Sequence, residues 1–168
     1  MAVLRALGDR IGAFSRLPVF IQAWSVPVWC LLGASRLLVL TIPFRRLSAV
    51  LGKGEGAMPW IPLLSDAQTL RALQIGRVVR TMARFTPWDS NCFAQAITAR
   101  LLLGLYGLPY ALFFGLMRDA GSAGLNAHAW IAAGRIRVTG GVSFGQYTVV
   151  AMYVSPTLGR YAKPLTPA

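Results

Sequence analysis

The sequence predicts an α+β fold: a helix opened by a cysteine lies on a small antiparallel sheet, and a helical module precedes it. Two observations predict this. Apolar residues recur at helical spacing from residue 65 to residue 103, and beyond residue 110 they give way to short apolar runs bounded by glycines. Residues 52–62, GKGEGAMPWIP, hold three glycines and two prolines and form the best linker, dividing a helical module (1–57) from the core domain (58–168). At 168 residues the chain can bury a sizeable interior without a disulfide staple.

Residues 18–35 carry no charge, and the apolar run resumes after Arg36, so by length the segment is a membrane-spanning candidate. Pro27 in its middle, Gln22, and a basic residue at each edge argue for one or two buried or membrane-skimming helices over residues 13–51. No small-residue cleavage site marks it as a secretory signal. Cys30, inside the run, is expected to be a buried packing residue. Next, SDAQTLRALQIGRVVRTMARF places Leu70, Leu73, Val78, Met82 and Phe85 near helical spacing, behind Ser65 or Asp66 as a cap. Pro87-Trp88 breaks the chain before SNCFAQAITARLLL, where Cys92, Ala96, Ala99 and Leu103 share one helix face. Gly107 and Pro109 end that helix. YALFFGLM is read as a core strand and RDAGSAGL as a loop. NAHAWIAAG and RIRVTGG form two strands joined at Ala133-Gly134, and QYTVVAMYV is a third strand, so the sheet is expected to be a meander.

The charge is lopsided. Seventeen basic residues face five acidic ones, a formal +12, with +8 in residues 1–85. Such a surface attracts anionic peptide or lipid headgroups, although fifteen of the bases are arginine, which genome composition alone also produces. No motif or basic run marks a nucleic-acid reader. A single histidine and two distant cysteines argue against a structural zinc site and a disulfide framework; no cofactor is expected, and a reducing, cytoplasmic setting fits.

Within this apolar chain, Cys92 and His128, 36 residues apart, form the minimum set for cysteine nucleophile catalysis. Asp89-Ser90-Asn91 are all N-cap types, so Cys92 lies in the first helical turn, where the dipole and free amides favour a thiolate. An imidazole would accept the thiol proton and later protonate the leaving amine. Free amides of the turn, with Asn91 or Gln95, are candidates for an oxyanion hole. Trp88 and Trp130 flank the pair and could wall it from water, or serve as core.

The run PWDSNCFAQAITARLLLGLYGLPYALFFGL, followed by AHAWI, IRVTGG and YTVVAMYV, resembles the transglutaminase-like domain of the lasso peptide biosynthesis B protein, the leader peptidase of that pathway. The matching pieces are Pro-Trp before the cysteine, Gln-Ala after it, a glycine-ended helix, Ala-His-Ala-Trp and a strand ending in glycine. Upstream, the patch Pro43 to Leu47 matches as well, so the resemblance covers most of residues 15–154. It implies a papain-like cysteine protease that removes the leader from a ribosomally made precursor peptide, with Cys92 as nucleophile and His128 as general base and acid. The partners implied are the precursor, a small leader-recognition protein, and an ATP-dependent cyclase that joins the freed amino terminus to a side-chain carboxylate; any effect of ATP on the cleavage itself is left open.

This chain departs from the resemblance in one respect. An acidic residue should orient the imidazole, yet no Asp, Glu or Asn follows His128. A two-residue turn at Ala133-Gly134 would set His128 opposite Thr139, making Thr139 the candidate orienter; a backbone carbonyl, Gln146 or Asp89 are alternatives. Two other readings remain: a noncatalytic scaffold docking precursor or cyclase at a membrane, and a transamidase using the same Cys/His pair.

Overall fold

A run of small and apolar residues at alternating four- and three-residue steps builds the inner stripe of the first helix, α1 (Val19–Thr41). In the computed structural model, which describes residues 17–54, 63–118, 124–141 and 145–156, that stripe is Ile21, Ser25, Val28, Leu32 and Ser35. Pro27 sits inside α1 without ending it. The stripe's serines are satisfied: Ser25 Oγ donates to Ile21 O (2.6 Å), and Ser35 Oγ meets Thr98 Oγ1 at 3.0 Å. Cys30 falls off the stripe and is exposed, contrary to the packing role expected of it; the three- and four-residue steps turn it outward. Val26, Leu37 and Leu40 are exposed too, so the outer face of α1 is apolar, and its length and composition would allow it to cross a bilayer.

Helix α2 (Phe44–Leu51) follows Pro43, and the chain then forms a two-residue strand, β1 (Lys53–Gly54), within the expected linker. The rest of that linker, 55–62, lies outside the described residues. Helix α3 (Asp66–Ala83) starts at a capping box in which Ser65 Oγ accepts from Gln68 N–H (3.3 Å) and Gln68 Oε1 accepts from Ser65 N–H (3.0 Å). Its buried face keeps Val78 and Met82 but otherwise differs from the expected one. Leu70, Leu73 and Phe85 are exposed, while Ala72, Ile75, Gly76, Val78, Val79 and Met82 are buried. Small residues make this contact and set the phase: a Cβ on Gly76 would stand 2.7 Å from Val138 O, so only glycine lets the helix lie this close.

Helix α4 (Cys92–Leu105) is closed by a Schellman motif, with Leu108 N–H bonded to Leu103 O (2.8 Å), Gly107 N–H to Gly104 O (3.0 Å), and Gly107 at φ +63°. Strands β2 (Ala111–Arg118), β3 (Leu125–Ala133) and β4 (Ile136–Thr139) run as an antiparallel meander. Strand β5 (Thr148–Val154) does not extend it; it returns to pair with β2 and carries β1 on its outer edge, giving the order β1-β5-β2-β3-β4. The meander expectation therefore fails at its last strand, whose buried positions pair with the central strand. Most of the loop read at RDAGSAGL, 119–123, lies outside the described residues.

The sheet separates two cores. Ala129, Ile131, Ala133, Leu112 and Val138 face the four described helices, whereas Trp130, Ala132, Phe113 and Met152 form a smaller cluster on the other side. Because Ile21, Val28 and Leu32 of α1 pack in the same cluster as Leu102 and Ile131, the N-terminal helices and the sheet share one interior.

Candidate active site

The turn before α4 is held by short polar contacts. Thr86 Oγ1 lies 2.8 Å from Ser90 Oγ and donates within 3.0 Å of Ala83 O. Asn91 is the N-cap, its Oδ1 accepting from Ala94 N–H at 3.0 Å, so Cys92 is the first helical residue, as expected. Gln95 Nε2 donates to Ser90 O at 2.7 Å. Gln95 thus commits its Nε2 to the turn, whereas Asn91 commits its Oδ1, the acceptor, and not the Nδ2 donor that an oxyanion would need. The amides of Cys92 and Phe93, which the first turn leaves without intrahelical acceptors, are further donors.

Cys92 is half-buried against the helix-side core, at a cleft of about 390 Å³ that His128 also borders. The two residues share this cleft without a hydrogen bond between them among the described residues. Alternation along β3 turns Ala129 to the helices and His128, with Trp130, to the other face. There the imidazole stacks on Tyr147 (centroids 4.9 Å, 28°) and Trp130 (5.9 Å, 23°), and its Nε2 lies 3.0 Å from Gly140 O.

Thr139 is not the orienter. It pairs with Ile131 rather than with His128, because the turn falls at Gly134-Arg135 and the register shifts by a bulge between Ile131 and Ala132. Thr139 is fully buried, with no hydrogen-bond partner for Oγ1 among the described residues. Of the alternatives, Asp89 is exposed and pairs with Arg36 (3.5 Å), Gln146 is exposed, and the backbone carbonyl is the contact that forms.

The two tryptophans divide. Trp130 is buried behind the imidazole and stacks on Phe113 (5.5 Å), so it backs the ring. Trp88 packs half-buried against Trp29 (4.7 Å) and over Gly33, away from the cleft, in the contact with α1.

The sequence reading missed the contributions of Gly115, Gly140 and Tyr147. A Cβ on Gly115 would come within 2.8 Å of both the Tyr147 side chain and the Trp130 ring, and one on Gly140, at φ +86°, would stand 2.2 Å from Trp130 Cβ. Two glycines thus open the slot in which the aromatic stack holds His128. The Gly140-Gly141 doublet was a visible signal; the pairing of Tyr147 was not.

Residues 38–152 match the family model described as the transglutaminase-like superfamily. No curated protein matches the chain, and no solved structure does.

Proposed function

Since the chain belongs to the transglutaminase-like superfamily, whose members are generally cysteine-based enzymes and include cysteine proteases and transamidases, we propose that it is a cysteine peptidase acting through Cys92 and His128. The specific reading is removal of the leader from a lasso peptide precursor, presented by a small leader-binding protein and passed on to an ATP-dependent cyclase. The observation that carries the proposal is a thiol on the first turn of α4 bordering the same cleft as an imidazole whose Nε2 is anchored by a carbonyl.

In this reading Nδ1 of His128 takes the Cys92 thiol proton as Sγ attacks the scissile carbonyl carbon. The amides of Cys92 and Phe93 receive the developing oxyanion. The C–N bond breaks, the amine leaves with the proton from His128, and water then hydrolyses the thioester to a free carboxylate. His128, which β3 turns to the face away from α4, must bring its imidazole to Sγ at the cleft for this to happen, and catalytic contacts of this kind tighten when substrate binds.

The test mixes the purified protein with a precursor, with and without the leader-binding partner, and weighs the fragments. Two fragments whose masses sum to precursor plus water, lost in Cys92→Ala, support hydrolysis. A product carrying an added amine in place of water would make the chain a transamidase, and cleavage at an unchanged rate by Cys92→Ala would overturn the proposal.

A further inference from the structure

We propose that the cleft beside Cys92 contains a subsite for one bulky apolar side chain of the acyl donor, built by Phe44, Phe93 and Phe114. Three different elements, α2, the first turn of α4, and β2, bring these rings together. Phe44 meets Phe114 edge-on at 5.0 Å, Phe93 meets Phe114 at 5.1 Å, and Phe44 lies 6.0 Å from Phe93. Phe93 directly follows the thiol in the chain, so its ring and Sγ are held in one helical turn.

Charge argues for the same occupant. The chain carries a formal +12, yet among the described residues the cleft is bordered by no Lys, Arg, Asp or Glu. An acidic or basic side chain placed there would lose water without gaining a partner, whereas an aromatic or branched aliphatic one would bury its surface against ring faces and edges. Phe44 remains 47% exposed and Val150 50% exposed at the rim, leaving apolar surface open to a ligand rather than already covered. Phe44 thus sets specificity from a helix outside the Cys/His pair.

The inference rests on the reading of Cys92 as the reacting thiol, but its test does not need a precursor. N-substituted chloroacetamides alkylate thiols directly, and exposed Cys30 serves as an internal reference. The full-length protein is treated with N-phenethyl, N-hydroxyethyl, N-carboxymethyl and N-aminoethyl chloroacetamide, and labelling at each cysteine is followed by mass spectrometry. The Cys92/Cys30 rate ratio should be about tenfold higher for the phenethyl probe than for either charged probe, a difference of the size expected from burying one aromatic ring. Phe44→Ala, at a half-exposed position, should remove most of that preference.

Equal ratios for all four probes, or a preference for the carboxylate probe set by overall positive charge, would overturn the subsite. So would a phenethyl preference that survives Phe44→Ala. Selective labelling with no precursor cleavage would sustain the subsite and defeat the peptidase reading; cleavage with flat probe selectivity would do the reverse.

Discussion

The Nε2 of His128 lies 3.0 Å from the carbonyl oxygen of Gly140, and that single contact fixes the chemistry of the ring. A carbonyl can only accept, so Nε2 carries the proton and, in the neutral ring, Nδ1 carries the free lone pair. A carboxylate in this place would add a full charge opposite the imidazolium; a carbonyl supplies only a dipole, and it cannot be lost by protonation at low pH. The orienting role therefore falls on backbone geometry, which glycine secures.

Gly140→Ala should test that geometry. The new Cβ would meet Trp130 Cβ at 2.2 Å in a left-handed backbone conformation, which we expect to cost about 1–3 kcal/mol and to lower activity of the protein that remains folded. Gly141→Ala shares the positive φ but meets nothing within 4 Å, so thermal melts should show only the backbone cost of about 1–2 kcal/mol.

Tyr147 should matter for its ring and not for its hydroxyl. Stacked at 4.9 Å on His128, it contributes about 0.5–1.5 kcal/mol to holding the imidazole. Tyr147→Phe is expected to match wild type, whereas Tyr147→Ala lowers kcat severalfold with KM little changed. The imidazole proton resonances should lose their ring-current shift in the alanine variant alone.

Stability should respond oppositely to two helix glycines. Gly76→Val drives a side chain into Val138 O and Arg80, and denaturant titration should report a loss of about 1–3 kcal/mol. Gly104→Ala meets nothing within 4 Å on an exposed helical turn and should gain up to about 1 kcal/mol.

Tyr110 should give the fold an alkaline limit. Burial raises its pKa above the usual phenol value, opposed in part by Arg100, and its hydroxyl donates to Leu51 O at 3.2 Å. A raised folded-state pKa contributes stability that is whole below the unfolded value of about 10 and declines as pH rises through the folded one. Denaturation midpoints should fall above that pH in wild type, and this part of the decline should be missing in Tyr110→Phe.

Much of the architecture was legible because it is locally encoded. A cap at Ser65 or Asp66, one among Asp89-Ser90-Asn91 ahead of Cys92, and the glycine-closed end of α4 each depend on a few neighbouring residues; the structure selects Ser65 and Asn91 as the caps and closes α4 at Gly107. Strand positions also followed, since short apolar runs bounded by turn residues mark them. The phase of α3 was not legible, because Ala72 and Gly76 face inward for closeness to β4, and hydrophobicity gives small residues little weight.

The sequence by itself determined that the chain is α+β and that its one histidine and its helix-opening cysteine are the chemical candidates. Tertiary structure alone decided that β5 pairs with β2, that a bulge carries Thr139 away from His128, and that Gly140 and Tyr147 grip the imidazole. The physical reason is that caps and periodicity are settled by contacts a few residues apart. Register, strand order, and the face a side chain takes are settled by pairings between distant segments, where a shift of one residue exchanges the two sides of a strand.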